Sequence, residues 1–263
     1  MKNKDKSTAC NCTPDDHCGC MDNEACLCGE TAEVDTLCCE TLHCGQIICD
    51  NIDFASEREE NSSAQVLVRD EAPDFIAPAV MPDNQIEDDF HLYEYLEDSY
   101  GLIIFYPADF TFVCPSELIA FNHRLKEFEK RGVKLLGISV DSPYAHQTWK
   151  KMPASDGGVG PLDFPLISDQ SKEISEAYGV LSEDGVALRA SFLLDKEGIV
   201  RHQLINDLPL GRDVDEALRI IDALLFYEEH GEVCPANWKR GKEGITPTSA
   251  GIAQYLNKNL DQI

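Results

Sequence analysis

Positive charge is scarce in this sequence. The 263 residues include 22 lysines and arginines against 48 aspartates and glutamates, which gives a formal net charge of −26 at pH 7. Nucleic acids and anionic membrane surfaces carry the same sign of charge and would repel such a chain. We therefore expect the protein to bind neither nucleic acid nor a membrane.

Long apolar runs are missing as well. No stretch has the length and apolarity of a membrane span. The basic residues 1–8 are not followed by an apolar segment, so a secretory signal is not expected. These two absences favour a cytoplasmic protein.

The spacing Cys-x-x-Cys, which is typical of zinc fingers, is absent although cysteine is abundant. Ten of the twelve cysteines lie at or before Cys49, and six of these form Cys-x-Cys pairs at intervals of eight residues (18 − 10 = 26 − 18 = 8). In an extended chain, residues i and i+2 point the same way, so each pair can present two sulfurs to one soft ion. The pattern is similar to that of metallothionein clusters.

We therefore predict that residues 1–50 form a Cys-rich extension that binds zinc or another soft metal ion. A reduced, disordered acidic tail and a disulfide knot are the alternatives, and a reducing cytosol argues against the knot. The candidate metal ligands are Cys10, Cys12, Cys18, Cys20, Cys26, Cys28, Cys38, Cys39, Cys44 and Cys49.

The remaining sequence divides into a linker, a domain and a C-terminal arm. Residues 51–65 are polar and acidic, as is typical of a linker. Beyond them, strand and helix patterns alternate, which predicts an α/β sheet with helices on both faces. Strands are predicted over 102–106, 133–140, 190–194 and 199–205, and helices over 115–131, 144–151, 172–178 and 214–230.

One cysteine of the domain occupies a position that favours reactivity. The apolar run Leu102–Tyr106 predicts a buried strand that Pro107 closes, and Pro115 suits the first position of the helix that follows. Cys114 therefore lies at a helix N-terminus, where free N–H groups and the helix dipole favour a thiolate. A buried structural cysteine is the alternative.

Several motifs resemble those of the peroxiredoxins. Pro107, Thr111 and Cys114 match the signature Pro-x-x-x-Thr-x-x-Cys, and residues 232–238 are similar to the resolving-cysteine segment of the typical 2-Cys subgroup, which includes alkyl hydroperoxide reductases and thioredoxin peroxidases. Further similar segments lie at residues 72–75, 157–160, 188–192 and 206–212. The resemblance covers roughly residues 66–255. It implies a thioredoxin-like fold over 66–230, a central mixed sheet flanked by helices, with a resolving-cysteine arm and helix over 231–263.

The resemblance also implies an antioxidant enzyme, a thiol-dependent peroxidase for hydrogen peroxide and organic hydroperoxides. Cys114 would attack the peroxide and become a sulfenic acid, a reaction that requires no metal or organic cofactor. Pro107, Thr111 and Arg189 would form the pocket, and Glu117 would orient Arg189. Arg212 corresponds to a second arginine of this network; a surface charge beside a helix is its alternative.

A second thiol is required to complete the cycle. Cys114-Pro-Ser-Glu117 has glutamate where thioredoxin-type reductases have their second cysteine, so the site cannot cycle as a local dithiol. The resemblance implies that Cys234 of another subunit forms a disulfide with Cys114, in a homodimer that assembles into a ring, expected to be a decamer. Thioredoxin or a flavoprotein reductase would restore the thiols. An inert core cysteine is the alternative for Cys234.

The resemblance extends to features that control over-oxidation. Sensitive family members have a Gly-Gly-Leu-Gly loop and a C-terminal helix with Tyr-Phe; this chain has valine in the loop, at 157–160, and Tyr255-Leu256 in the helix. Intermediate sensitivity is therefore predicted. Two other functions stay open: a metal-sequestering or metal-sensing protein, and a holdase chaperone, each built on a peroxiredoxin scaffold.

Overall fold

The structure, a computed structural model, describes residues 66–260. The predicted extension and linker, and with them the ten candidate metal ligands, lie outside the described residues. The strands are β1 Ile76–Val80, β2 Ile86–His91, β3 Tyr100–Phe105, β4 Val133–Ser139, β5 Leu166–Ser168, β6 Arg189–Leu194 and β7 Val200–Asn206. The helices are α1 Leu92–Leu96, α2 Cys114–His123, α3 Leu125–Glu129, α4 Pro143–Lys151, α5 Glu173–Ala177, α6 Val214–His230 and α7 Ser249–Asn259.

The strands form one mixed sheet of seven strands in the order β2-β1-β5-β4-β3-β6-β7. The three central strands β3, β4 and β5 run parallel, and the remaining neighbours pair antiparallel. All six residues of β3 are buried, as expected for a strand that helices cover on both faces. The predicted mixed sheet with flanking helices is confirmed.

Two apolar cores lie on opposite faces of the sheet. Because successive side chains of a strand alternate between the faces, Ile103 and Phe105 enter one core while Leu102 and Ile104 enter the other. The second core also contains the Cys114 side chain. The reactive cysteine is therefore embedded in a packed core at the end of a central strand.

The prediction of a single helix over 115–131 was wrong in one respect, because two helices, α2 and α3, occupy this region. Arg124, with φ −101° and ψ 3°, lies between α2 and α3. Leu125 and Phe128 stay buried across this break, so the apolar spacing that predicted one helix continues through it. The spacing therefore carried no signal of the interruption.

The strands β1, β2 and β5 were not predicted, and β2 and β5 lack a clear strand pattern. β2 is mostly polar, with one fully buried residue, Phe90, and β5 has only three residues.

No helix within residues 66–260 is long and apolar enough to cross a membrane.

Candidate active site

Cys114 is the first residue of α2. It follows the loop that leaves β3, residues 106–113, which we call the active-site loop. Its side chain is 0% exposed, and Pro107, which closes the strand, is buried as well. Within the loop, Phe110 has a φ of 56°, in the left-handed region that non-glycine residues rarely adopt. A constrained loop thus delivers the cysteine to a helix N-terminus, as the sequence predicted.

Arg189, the first residue of β6, contacts both Cys114 and Glu117. Its Nη1 lies 3.2 Å from Cys114 Sγ and 2.8 Å from Glu117 Oε2. Its Nε donates to the Leu208 carbonyl at 2.5 Å, which fixes the plane of the guanidinium. The structure therefore brings Arg189 to Cys114 and Glu117, which lie 75 and 72 residues before it in the sequence.

Arg212 binds both oxygens of the same carboxylate. Its Nε and its backbone N–H each lie 2.8 Å from Glu117 Oε1, and its Nη1 donates to the Ala190 carbonyl at 2.5 Å. The Arg212 side chain is 2% exposed, so the alternative of a surface charge is wrong. The contact places Arg212 in the same cluster as Glu117 and Arg189.

Glu117 is the shared anion of this cluster. Burial acts to raise the pKa of Glu117, but hydrogen bonds and charge from Arg212, together with the charge of Arg189, outweigh burial and hold that pKa below its ordinary value. The carboxylate is therefore ionised at neutral pH. Two guanidiniums and one carboxylate leave one net positive charge beside the Cys114 sulfur.

Thr111 and Pro107 lie in the loop before Cys114. The Thr111 hydroxyl donates to the Ala108 carbonyl at 2.7 Å, which commits its proton and leaves the oxygen as an acceptor. Thr111 is half-buried, whereas Cys114 is fully buried. Thr111 is thus more exposed to solvent than Cys114.

Cys234 lies in the arm that follows α6 and is not brought to Cys114. Both cysteines are free thiols, and Cys234 Sγ contacts the Ala223 carbonyl at 3.5 Å. Partial burial raises the pKa of the Cys234 thiol, and Arg219 opposes that effect. The residue is half-buried at the surface of α6 and not in the core.

Trp238 anchors the arm to α6. The residue is buried, its ring lies 4.9 Å from that of Phe226, and Arg219 Nη1 donates to its carbonyl at 3.0 Å. The resolving segment is therefore a docked element, and its cysteine has a defined place on the helix surface.

Sequence reasoning missed groups that carry no motif. The carbonyls of Leu208 and Ala190 orient the two arginines, but a backbone oxygen has no signature in a sequence. It also missed the buried pair Asp109 and His146, which lie 2.8 Å apart behind the active-site loop. Within residues 66–260, no group of three or more His, Cys, Asp or Glu side chains is arranged to hold a metal ion.

Two family models match the chain. The AhpC/TSA family matches residues 68–203, and the C-terminal domain of 1-Cys peroxiredoxin matches residues 223–258. The chain belongs to the AhpC/TSA family of peroxiredoxins. The second match includes Cys234, and residues 1–67 precede both matches.

This peroxiredoxin is similar to proteins from several organisms. It is 50% identical over 194 residues to alkyl hydroperoxide reductase C of Buchnera aphidicola subsp. Acyrthosiphon pisum, an alignment that covers 73% of this chain and 98% of the relative. It is 48% identical over 192 residues to the chloroplastic 2-cysteine peroxiredoxin of Chattonella marina var. antiqua, with 73% and 97% covered. The reduced 2-Cys peroxiredoxin of Plasmodium vivax superposes with a TM-score of 0.70 at 51% identity, over 72% of this chain and 98% of that one.

The match establishes the class of enzyme. The protein is a peroxiredoxin, a peroxidase whose chemistry requires no metal or organic cofactor. The structural likeness also confirms the thioredoxin-like fold predicted from the sequence.

Proposed function

We propose that this enzyme reduces hydrogen peroxide and small organic hydroperoxides at Cys114. The observation that carries the proposal is the 3.2 Å contact between Arg189 Nη1 and the Cys114 sulfur, in a cluster with one net positive charge. The thiolate attacks one peroxide oxygen, the O–O bond breaks, and Cys114 becomes a sulfenic acid. The departing oxygen takes a proton and leaves as water or an alcohol.

The surrounding groups act as a fixed template for the two oxygens. Arg189 supplies a permanent cation and donors toward the charge that develops on the departing oxygen. Thr111, whose own proton is committed to Ala108, accepts a hydrogen bond from the peroxide. Pro107 excludes water, while Glu117 and Arg212 hold Arg189 in place. Most of the acceleration comes from this positioning and charge stabilisation.

The second half of the cycle uses Cys234 of a partner subunit. Because Cys114 is fully buried in the first turn of α2, that turn opens before the sulfenic acid meets another thiol. The Cys234 thiolate then attacks the sulfenic sulfur, hydroxide leaves as water, and an intersubunit disulfide forms. Thioredoxin or a flavoprotein reductase supplies two electrons to restore both thiols.

This cycle requires a homodimer, and we infer assembly of dimers into a ring, with ten subunits expected. Support comes from exposed aromatic residues near the active-site loop. Phe112 is 97% exposed, Tyr144 is 73% exposed and Phe110 is 52% exposed. Apolar surface of this kind is typical of contacts between protein copies.

Two cysteine variants test the proposed cycle. Cys114→Ser is expected to abolish peroxide consumption. Cys234→Ser is expected to consume about one peroxide per subunit and then stop with thioredoxin or flavoprotein reductase as electron donor. A Cys114→Ser protein that still consumes peroxide at the wild-type rate would show that another thiol is the nucleophile.

We also propose domain boundaries and a role for the N-terminal extension. We infer that residues 66–230 form the peroxidase domain, that residues 231–263 form the arm and that residues 1–50 bind zinc or another soft metal ion. A full-chain variant with all ten N-terminal cysteines changed to serine should keep its peroxidase activity and lose bound zinc in elemental analysis. Equal zinc content in variant and wild type would contradict the metal site. Metal sensing, holdase activity and a cytoplasmic location stay predictions.

A further inference from the structure

A buried polar cluster lies behind the active-site loop, between β3 and α4. The Tyr106 hydroxyl donates to Asp109 Oδ1 at 2.9 Å, and His146 Nδ1 lies 2.8 Å from Asp109 Oδ2. The side chains of Asp109 and His146 are both 0% exposed. None of the three residues takes part in the chemistry proposed above.

The hydrogen bonds of His146 fix the number of protons in the cluster. Its Nε2 lies 3.2 Å from the Ile167 carbonyl, so both ring nitrogens face oxygen atoms of other residues. Both contacts are satisfied if one proton is shared between His146 and Asp109 in addition to the Nε2 proton. The pair is then neutral overall, which suits a buried position; burial raises the pKa of Asp109 and the hydrogen bond from His146 opposes that effect.

The cluster ties the active-site loop to two other parts of the domain. The backbone N–H of Asp109 donates to Asp141 Oδ2 at 2.8 Å, and Asp141 also accepts from Ser139 at the end of β4. One turn along α4 from His146, the Trp149 ring lies 5.8 Å from that of Phe110. The Trp149 indole donates to the Gly157 carbonyl at 3.0 Å. The loop, α4 and the glycine-rich segment 157–160 are thus joined through buried contacts.

We propose that Asp109 and His146 are positioning residues that hold the active-site loop closed, and that they favour reaction with peroxide at the expense of disulfide formation. Asp109 lies two residues from Pro107 and two from Thr111. Both its backbone N–H and its side chain are hydrogen-bonded, so Asp109 fixes the positions of these two pocket residues. The same attachment opposes the opening of α2 that releases Cys114. The inference rests on the proposed two-cysteine cycle.

The test measures one rate constant and one product ratio in the full chain. Rapid mixing with hydrogen peroxide gives the rate constant for Cys114 oxidation. Mass spectrometry after a fixed excess of peroxide gives the ratio of Cys114–Cys234 disulfide to Cys114 sulfinic acid. His146→Leu should lower the oxidation rate constant by about tenfold or more, because small displacements of reacting groups are costly, and should raise the disulfide ratio severalfold.

Conservative and matched variants separate positioning from general stability. Asp109→Asn offers an oxygen to Tyr106 and an N–H to a neutral His146, so it should stay within about threefold of wild type on both measures. Tyr178→Phe removes a buried tyrosine hydroxyl that donates to the Pro73 carbonyl at 2.8 Å, in the opposite core. That control should match wild type on both measures.

If His146→Leu does not fold, Tyr106→Phe tests the same proposal. We expect smaller shifts of the two measures in the same two directions. Wild-type values in His146→Leu and Tyr106→Phe, or a fall in both measures together in either variant, would overturn the proposal. Absence of the Cys114–Cys234 disulfide from the wild-type protein would overturn the proposed cycle itself, whatever the variants show.

Discussion

At the scale of single residues, the site depends on how two arginines share one carboxylate. Arg189 contacts Glu117 Oε2, Arg212 contacts both oxygens of that carboxylate, and each arginine is also held by a backbone carbonyl. Five N–H donors in a rigid plane make this possible for arginine and not for lysine. The cation beside Cys114 is therefore fixed in direction as well as in charge.

Arg189→Lys tests that geometry. The ammonium cannot bind the Cys114 sulfur, Glu117 and the Leu208 carbonyl in one plane, so we expect the rate constant for Cys114 oxidation to fall about 100-fold. Stopped-flow mixing with hydrogen peroxide measures it. Arg124→Lys, at an exposed arginine that pairs with Asp215, is the matched control and should react like wild type. Equal rates for the two variants would show that charge alone suffices.

Lys150 predicts a pH dependence of stability. Its side chain is buried, its Nζ donates to the Met81 carbonyl at 2.7 Å, and burial lowers its pKa to about 8 from the ordinary 10.5. Between pH 8 and pH 10 the unfolded chain therefore binds more protons at this site than the folded protein. The contribution of Lys150 to the free energy of unfolding should rise across this window, by about 2 kcal/mol.

Urea unfolding of wild type and Lys150→Met at pH 7, 8, 9 and 10 measures this contribution. Other titrating groups are common to both proteins and cancel in the difference. The wild type should gain stability relative to the variant as the pH rises. A difference that stays constant with pH would mean that Lys150 titrates near its ordinary value.

At the scale of elements, the glycine-rich segment 157–160 packs against the end of α4. A Cβ atom on Gly158 would lie 2.0 Å from the Met152 carbonyl oxygen, a distance that no side-chain movement relieves. Gly158→Ala should therefore displace the segment and break the bond between Trp149 and Gly157. Easier opening of α2 follows, so the variant should resist inactivation by peroxide better than wild type.

Peroxide consumption at increasing peroxide concentrations checks this expectation. Gly160→Ala is the control: its Cβ would meet open space, and its φ of 64° adds strain of about 1 kcal/mol without a clash. Inactivation of Gly158→Ala at the same peroxide concentration as wild type would show that the segment 157–160 does not control over-oxidation.

The sequence was informative where an element has a strong pattern. The buried run before Pro107 and the helical spacing after Pro115 placed Cys114 correctly at the start of α2. The interruption at Arg124 and the polar strand β2 have no such pattern and were missed. Asp109 and His146 are 37 residues apart, and their contact depends on how β3 and α4 pack. Such a pair cannot be read from local spacing.

At the scale of the whole molecule, the exposed aromatic residues near the active-site loop predict assembly. Phe112 is almost fully exposed, so Phe112→Asp should not disturb the core, and it should weaken contacts between copies. Sedimentation velocity should show a ring for wild type and a smaller species, a dimer, for the variant. Val68→Asp, at an exposed apolar residue far along the chain from the loop, is the control. An unchanged sedimentation coefficient for Phe112→Asp would place the assembly surface elsewhere.

Disulfide mapping tests the proposed two-cysteine cycle between subunits. Reduced wild-type protein, mixed from unlabelled and ¹⁵N-labelled subunits, receives one equivalent of hydrogen peroxide before digestion and mass spectrometry. We expect a peptide pair that links Cys114 to Cys234, including pairs with one labelled and one unlabelled member. A disulfide between Cys114 and a cysteine of residues 1–50 would contradict the proposed cycle. Cys114–Cys234 pairs that all carry one uniform label, although the subunits have exchanged, would also contradict it.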